Sequence, residues 1–217
     1  SRAVGDSQRQ PGVRELSAQA TRDGILKAAT QVFAQYGFDG GSVEKISRAA
    51  KSVDRMLYYY FGNKEGLFMA VIEDMYRQMN EAESKLDLNT DEPVQALKDV
   101  IDFVLHYYRR HPEFVTLLNT ENLHMGRHIV RSERAAQYSS PAIDVIRRIL
   151  ETGVRQKLFR PDLVARDVYL LIVSTGYFFM SNRYTLSAFM GEDLQSPQAV
   201  QHWQDFVTDT VLRAVKR

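Results

Sequence analysis

Hydrophobic positions recur with helical spacing along most of this chain. Ile25, Ala29, Val32, Phe33 and Tyr36 stand at i, i+4, i+7, i+8 and i+11, the pattern of one buried helix face. Gly37 ends that helix, since glycine readily takes the left-handed backbone after a C-cap, and Phe38-Asp39-Gly40-Gly41 reads as a turn. Two short helices are expected at 43–50 and 54–60, with Ser42 and Asp54 as N-caps. A long helix starts at Asn63, keeps Phe68, Val71, Ile72, Met75 and Met79 in register, and fades near Asp87-Leu88-Asn89.

The second half opens at Pro93, a residue suited to the first turn of a helix. Val94, Leu97, Ile101, Val104, Leu105 and Tyr108 form its stripe, and His111-Pro112 breaks it. Residues 112–137 are helical but polar and irregular, and Pro141 opens another helix that Phe159-Arg160-Pro161 stops. Asp162 caps a helix of up to about 29 residues, about 43 Å at 1.5 Å per residue, which Gly191 closes. The last helix runs from Pro197 to about Lys216 with Val200, Trp203, Phe206, Val207 and Val211 on one side. The run Tyr58-Tyr59-Tyr60-Phe61 is β-prone, but it lies between helical patterns and has no partner strand. The expected class is all-α, with about nine helices. Residues 1–17 have no periodic apolar face and read as a flexible basic arm.

Composition narrows the chemistry. A chain of 217 residues that is 44% hydrophobic and 25% charged can fill one large core or two modest ones. The absence of cysteine excludes a disulfide scaffold, a thiolate zinc site, an iron–sulfur cluster and a cysteine nucleophile. The longest uncharged apolar stretch, 168–180, is shorter than the ~20 residues of a bilayer span and reads as a buried helix. No signal-peptide-like segment lies near the start, so the expected setting is cytoplasmic, with no membrane partner. Net charge is +1, yet the first 70 residues hold ten basic against seven acidic side chains, a mild bias toward an anionic partner.

No phosphate-binding glycine loop, zinc-protease, nucleophile-elbow or EF-hand pattern occurs, so neither an enzyme nor a cofactor is expected. Glu121, His124 and His128 come nearest to a site, with the two histidines one helical turn apart. Such spacing can hold a metal, but two histidines without a third strong ligand more often form a polar helix surface. No metal ligand is assigned.

Residues 42–67 have the layout of a helix-turn-helix. Val43, Ile46 and Ala50 point inward, and the small Ala49 and Ala50 let the next helix cross closely. Lys51-Ser52-Val53 is the turn, and Leu57 and Phe61 anchor the second helix. That leaves Asp54, Arg55, Met56, Tyr58 and Tyr59 facing out, a set suited to a DNA major groove. Arg55 can bind guanine O6 and N7 together, Met56 and Tyr59 can reach the groove floor, and Lys45 and Lys51 can assist on the backbone. Asn63 caps the following helix, so Lys64 and the free amides of its first turn suit a DNA phosphate.

Residues 22–67 resemble the DNA-binding domain of TetR-family transcriptional regulators. The resemblance rests on Ile25-Leu26, Ala28-Ala29, Phe33, Gly37-Phe38, Ser42-Val43, Ile46, Ala49, Leu57-Tyr58, Tyr60-Phe61, Lys64-Glu65 and Leu67. It implies a domain plan of an arm at 1–17, a DNA-binding domain at 18–65 and a regulatory domain at 66–217. It also implies phosphate contacts from Ser42, Tyr58 and Lys64, a homodimer on a palindromic operator, and a small-molecule effector that releases a repressor. The sequence departs from the family pattern at Lys51, where glycine is usual. A positive φ there would cost on the order of 1 kcal/mol. The alternative is a helical protein without regulatory DNA binding, holding a metal or a small ligand through Glu121, His124 and His128.

The same resemblance implies an effector pocket within residues about 90–195 and a dimer built from the last two helices. Candidate pocket residues are Phe103, His106, Tyr107, Phe114, Asn119, His124, His128, Arg147, Thr175, Tyr177 and Phe178, polar and aromatic groups on otherwise apolar faces. His106, His124, His128 and Arg147 would suit a carboxylate. Phe189, Trp203, Phe206 and Val207 are the candidate dimer contacts. The helix from Asn63 joins the two domains, so a ligand that favours another tilt of it would alter operator affinity.

Overall fold

The computed structural model describes residues 11–217. Among them are ten α-helices, one 3-10 turn at Ile129–Arg131 and no strand beyond a single bridge between Phe159 and Lys216. The chain forms two compact units, one ending at Val71 and one spanning Ile72–Arg217.

The first unit holds α1 (Val13–Gly40), α2 (Val43–Ala49), α3 (Asp54–Phe61) and the start of α4 (Lys64–Ser84). Its core is the sequence-predicted stripe, with Ile25, Ala29, Phe33, Ile46, Leu57 and Leu67 buried. Phe33, Phe38 and Phe68 meet as an aromatic cluster, the first and third edge to face at 5.1 Å. Gly37, at φ 73°, breaks α1 as expected, but the helix resumes for one short turn and so delivers Phe38 to the cluster. At Gly66 a side chain would strike the Phe61 carbonyl at 2.2 Å, so only glycine lets α4 begin so close to α3.

The second unit is built on α5 (Pro93–Arg110), which packs against α6 (Pro112–Leu123), α7 (Ala135–Arg155), α8 (Ala165–Ser181) and α10 (Pro197–Val215). The short α9 is Arg183–Met190. The end of the chain is fastened by Arg160 N–H to the Val215 carbonyl at 3.0 Å and Arg217 N–H to that of Leu158 at 3.2 Å. Gly153 leaves room for the buried Phe159 ring, which a Cβ would meet at 2.0 Å.

Several expectations change. Helix α1 begins at Val13, so part of the expected 1–17 arm is helical; residues 1–10 of it lie outside the described residues. The compact units divide after Val71 rather than after residue 65. Ala49 is exposed, and Ser47 with Ile46 is what α2 buries. Pro141 lies inside α7 on an exposed face instead of opening it. The six residues before it join the helix, where the Tyr138 ring stacks on Tyr76 at 5.7 Å.

The expected helix from Asp162 to Met190 is two helices. Asp162 pairs with Arg160 at 2.8 Å, and α8 starts three residues later. At the break, Asn182 Nδ2 donates to the Phe178 carbonyl (3.1 Å) and Arg183 to that of Met180 (2.6 Å). Side chains that take the last-turn carbonyls compete with the helix ladder.

Leu57→Ala is expected to cost about 3 kcal/mol by leaving a cavity in the first unit, read as a lowered unfolding midpoint in denaturant. In the second unit, burial pushes the Tyr76, Tyr107 and Tyr177 hydroxyls up to about 12. Their neutral forms favour the fold, so the stabilisation is complete below the ordinary tyrosine value of 10.0 and is lost as pH climbs from there toward about 12. Phenolate absorbance and helical circular dichroism followed together across that window should show late ionisation accompanied by unfolding.

Candidate nucleic-acid interface and ligand cavity

The α2–turn–α3 segment is fixed by few bonds. Ser42 caps α2, its Oγ accepting from Lys45 N–H at 3.2 Å. The turn closes with Ala50 N–H on the Ile46 carbonyl (2.8 Å) and Ser52 N–H on that of Ser47 (2.9 Å). This geometry holds Lys51 at φ 51°, the left-handed conformation that glycine takes more cheaply. Ser47 Oγ donates to Asp54 Oδ1 at 2.5 Å, bracing the turn against α3. Asp54 therefore serves the motif's own geometry as well as lying on its outer face.

On α3, Leu57 is buried while Arg55, Tyr58 and Tyr59 are exposed, Tyr59 at 77%. Arg55 makes no hydrogen bond or ion pair among the described residues, so its guanidinium is unengaged. Met56 is half-buried, and the Tyr59 ring stands edge-on to Tyr60 at 5.0 Å. Asn63 Oδ1 accepts from Gly66 N–H at 2.7 Å and caps α4.

Two lysines gather at the C-terminal end of α1. Lys45 Nζ donates to the Gly40 carbonyl at 2.9 Å and lies 4.5 Å over the Tyr36 ring. Lys64 Nζ is 3.4 Å from the Asp39 carbonyl and 4.5 Å over the Phe38 ring. Neither is tied to a carboxylate among the described residues. Both cations favour the negative end of the α1 dipole, and both rings hold an ammonium by cation–π attraction. Sequence reasoning did not anticipate Arg22, whose guanidinium covers Phe61 at 5.0 Å and shields the base of α3.

The candidate pocket residues of the second unit do not converge. Tyr107 and Phe114 are buried edge to face at 6.0 Å, with His111 stacked 4.0 Å over Tyr107. The Tyr177 hydroxyl, 2.5 Å from Asn119 Oδ1 and 3.2 Å from the Val115 carbonyl, fastens α8 to α6. Thr175 Oγ1 bonds back to the Leu171 carbonyl at 2.8 Å, and Phe178 lies exposed on α8. Arg147 pairs with Asp144 on the surface. Phe103 and His106 border an open groove with Asp99 and Asp102. The idea of a carboxylate held by His106, His124, His128 and Arg147 falls with this placement.

Glu121, His124 and His128 do not share a helix face. Helix α6 ends at Leu123, and Met125 (φ 58°) and Gly126 (φ 70°) reverse the chain. Glu121 Oε1 then accepts from the backbone amides of His128 (2.8 Å) and Ile129 (3.1 Å), and Oε2 lies 2.7 Å from His128 Nδ1. Both side chains are buried. This carboxylate is a clamp for the reversal, and no cluster of three metal-ligating side chains occurs among the described residues.

A small cavity, about 20 Å³ of it open to a water, lies elsewhere, between α4, α5, α7 and α8. Val100, Val104, Ile146 and Ile172 form its apolar wall, and Tyr76, Asn80, Glu83, Tyr138 and Tyr169 bring polar groups. Burial raises the Glu83 carboxyl above the ordinary range, and burial, then the Glu83 charge, raises the Tyr169 hydroxyl. The signal for these residues was present: Tyr76, Asn80 and Glu83 stand at i, i+4 and i+7 on α4, beside its apolar stripe.

Of the candidate dimer contacts, Phe189 and Phe206 are exposed and Trp203 is half-buried. Trp203 is stacked between Phe179 at 5.4 Å and Phe206 at 5.8 Å, its indole N–H on the Thr175 carbonyl. Val207 is only 1% exposed and belongs to the protomer's own core, because its position on α10 faces inward. No described helix is long and apolar enough to cross a membrane.

Two family models match the chain: "Bacterial regulatory proteins, tetR family" over residues 25–71 and "Tetracyclin repressor-like, C-terminal domain" over residues 93–211. The chain is 49% identical to the HTH-type transcriptional repressor NicS of Pseudomonas putida, covering 96% of this chain and 99% of that protein. It is 30% identical to the HTH-type transcriptional repressor SCO4008 of Streptomyces coelicolor, covering 72% and 76%. In fold it is similar to the fatty acid degradation regulator FadR of Bacillus halodurans, with a TM-score of 0.69 at 18% identity over 94% of this chain and 97% of that one. The helix-turn-helix, the helical second unit and these matches agree: the chain belongs to the TetR family of bacterial transcriptional regulators.

Proposed function

We propose that this protein is a homodimeric repressor that α3 seats in the major groove of a palindromic operator and that a small organic effector releases. The observation that carries the reading is the outer face of α3, where an unengaged Arg55 stands beside exposed Tyr58 and Tyr59 on a helix anchored by Leu57. A repressor similar over nearly the whole chain supports it. Arg55 reads a base, Met56 and Tyr59 touch the groove floor, and Ser42, Lys45, Lys51, Tyr58 and Lys64 meet phosphates. The effector enters between α4, α5, α7 and α8, where the polar groups include Tyr76, Asn80 and Glu83 of α4, the helix that begins at Lys64, and widens the small cavity there. A ligand that favours one setting of α4 changes operator affinity by the same factor that operator changes its own.

Two protomers pair through the exposed aromatic and aliphatic side chains of α8, α9 and α10, among them Leu170, Phe178, Phe189 and Phe206. A single protomer gains by covering such a surface, and an isologous contact of two helices from each makes a four-helix bundle.

A gel shift with the DNA flanking the protein's own gene tests the core of this reading; no shift above random DNA would refute it. Light scattering should give twice the 24.9 kDa chain mass at micromolar concentration. Arg55→Ala is expected to lose about 1–3 kcal/mol of operator binding and to relax preference at one base pair per half-site. Lys64→Ala should weaken operator and random DNA alike and lower the salt slope by about 1 per subunit. Affinity measured against salt for the two variants separates these roles.

A further inference from the structure

Helix α9 buries none of its eight residues within its own protomer. Eight residues are too few for a helix to hold itself together in water, so α9 needs cover. Tyr184, Ala188 and Phe189 lie on one outward face, and Phe189 is 86% exposed.

A groove with about 470 Å³ open to water lies at the other end of α8. Leu150 and Val154 of α7, with Leu163 and Ala165 at the start of α8, form its apolar floor, and Arg147, Glu151 and Arg155 rim it. The Arg155 guanidinium donates to the Thr152 hydroxyl at 3.0 Å and engages no carboxylate among the described residues. Glu192, two residues beyond α9, engages no cation among them. Helix α8 has 17 residues and is about 25 Å long, so α9, which follows its C-terminal end, does not reach the groove of its own chain.

The outer face of α8 carries the means for a second copy to span that length. Leu170, Ser174 and Phe178 are exposed at i, i+4 and i+8. The small serine stands near the middle of the helix, with a large apolar side chain one turn to either side. Such a stripe is its own complement when two copies cross antiparallel at Ser174, each Leu170 meeting the partner's Phe178. Continued along the helices, that register sets Leu163 opposite the partner's Thr185 and Ala165 opposite the partner's Arg183. The first turn of α9 then lies over the groove. A parallel crossing would instead bring the two α9 helices together, align the helix dipoles and leave both grooves uncovered.

On the reading that protomers pair through α8, we propose that each α9 crosses to the partner and seats its Tyr184 and Phe189 in the partner's groove between α7 and α8. Each protomer supplies one helix and one groove, as a twofold axis requires. The exchange covers apolar surface on both and brings Glu192 toward the partner's Arg155.

The chain has no cysteine, so introduced thiols are its only ones. The full-length protein carrying Leu163→Cys and Thr185→Cys together is treated with a short bis-maleimide, beside each single variant. In denaturing gels the double variant is expected to run as a covalent dimer and each single variant as a monomer. Cross-linking of Thr185→Cys alone would set the two α9 helices side by side and overturn the proposal, and cross-linking of Leu163→Cys alone would do the same. Ala165→Cys takes the place of Leu163→Cys should circular dichroism show that fold disturbed. Phe189→Ser, at a position its own protomer leaves bare, should raise the dimer dissociation constant about tenfold with helical content unchanged; an unchanged constant counts against the seating. Light scattering on the untreated samples separates the two readings. A dimer that the double variant fails to cross-link leaves the pairing through α8 standing and refutes the seating of α9, whereas a monomer refutes both.

Discussion

Helices α2 and α3 are seven and eight residues long, shorter than a helix that holds itself together in water. Their existence depends on burial. Ile46 and Leu57 each give one short helix its hold on a core organised by Phe33, Phe38 and Phe68. Everything offered to DNA stands on this arrangement, since Arg55 and Tyr58 flank Leu57 on the same two turns. The Ser47–Asp54 bond and the left-handed Lys51 then fix the angle between the helices. Lys51 stores on the order of 1 kcal/mol of backbone strain that glycine would not, and the closing hydrogen bonds on both sides hold it there.

The electrostatics of the first unit are local. Its excess of basic groups is small, yet Lys45 and Lys64 converge from different helices on the carbonyls that end α1. The aromatic rings beneath them limit where each ammonium can go. Two positive charges are thereby concentrated in one place, which net charge alone would not reveal. The second unit shows the reverse arrangement: Glu83 is kept among tyrosines, with no cation of the described residues lining the space.

The helices were legible because their apolar stripes are long, and the motif because Ser42, Leu57, Phe61 and Lys64 stand at fixed offsets. Boundaries failed where side chains bond to backbone. Asn182 and Arg183 end α8 by taking carbonyls of its last turn, a competition that periodicity does not register. The reversal after α6 needs Met125 in a left-handed conformation and a glutamate seven residues before the amide it caps. Helical extrapolation instead carried His124 and His128 onward as one face. The cavity was missed for another reason. Aromatic and histidine content drew attention to Tyr107, Phe114 and Tyr177, which stack or bond within the second unit, and away from the polar residues that interrupt the α4 stripe. Only the assembled helices distinguish a tyrosine bonded to its own protein from one whose hydroxyl faces a space.

Trp203 is the single tryptophan of the chain, held between two phenylalanines with its N–H on a carbonyl of α8. Its fluorescence therefore originates from one place, where α8 and α10 meet beside exposed Phe206. Emission colour and anisotropy will follow how wet and how rigid that patch is, without any label. Under the proposed pairing through α8 and α10, the protein carries its own optical gauge of subunit association, readable at dilutions where scattering fails.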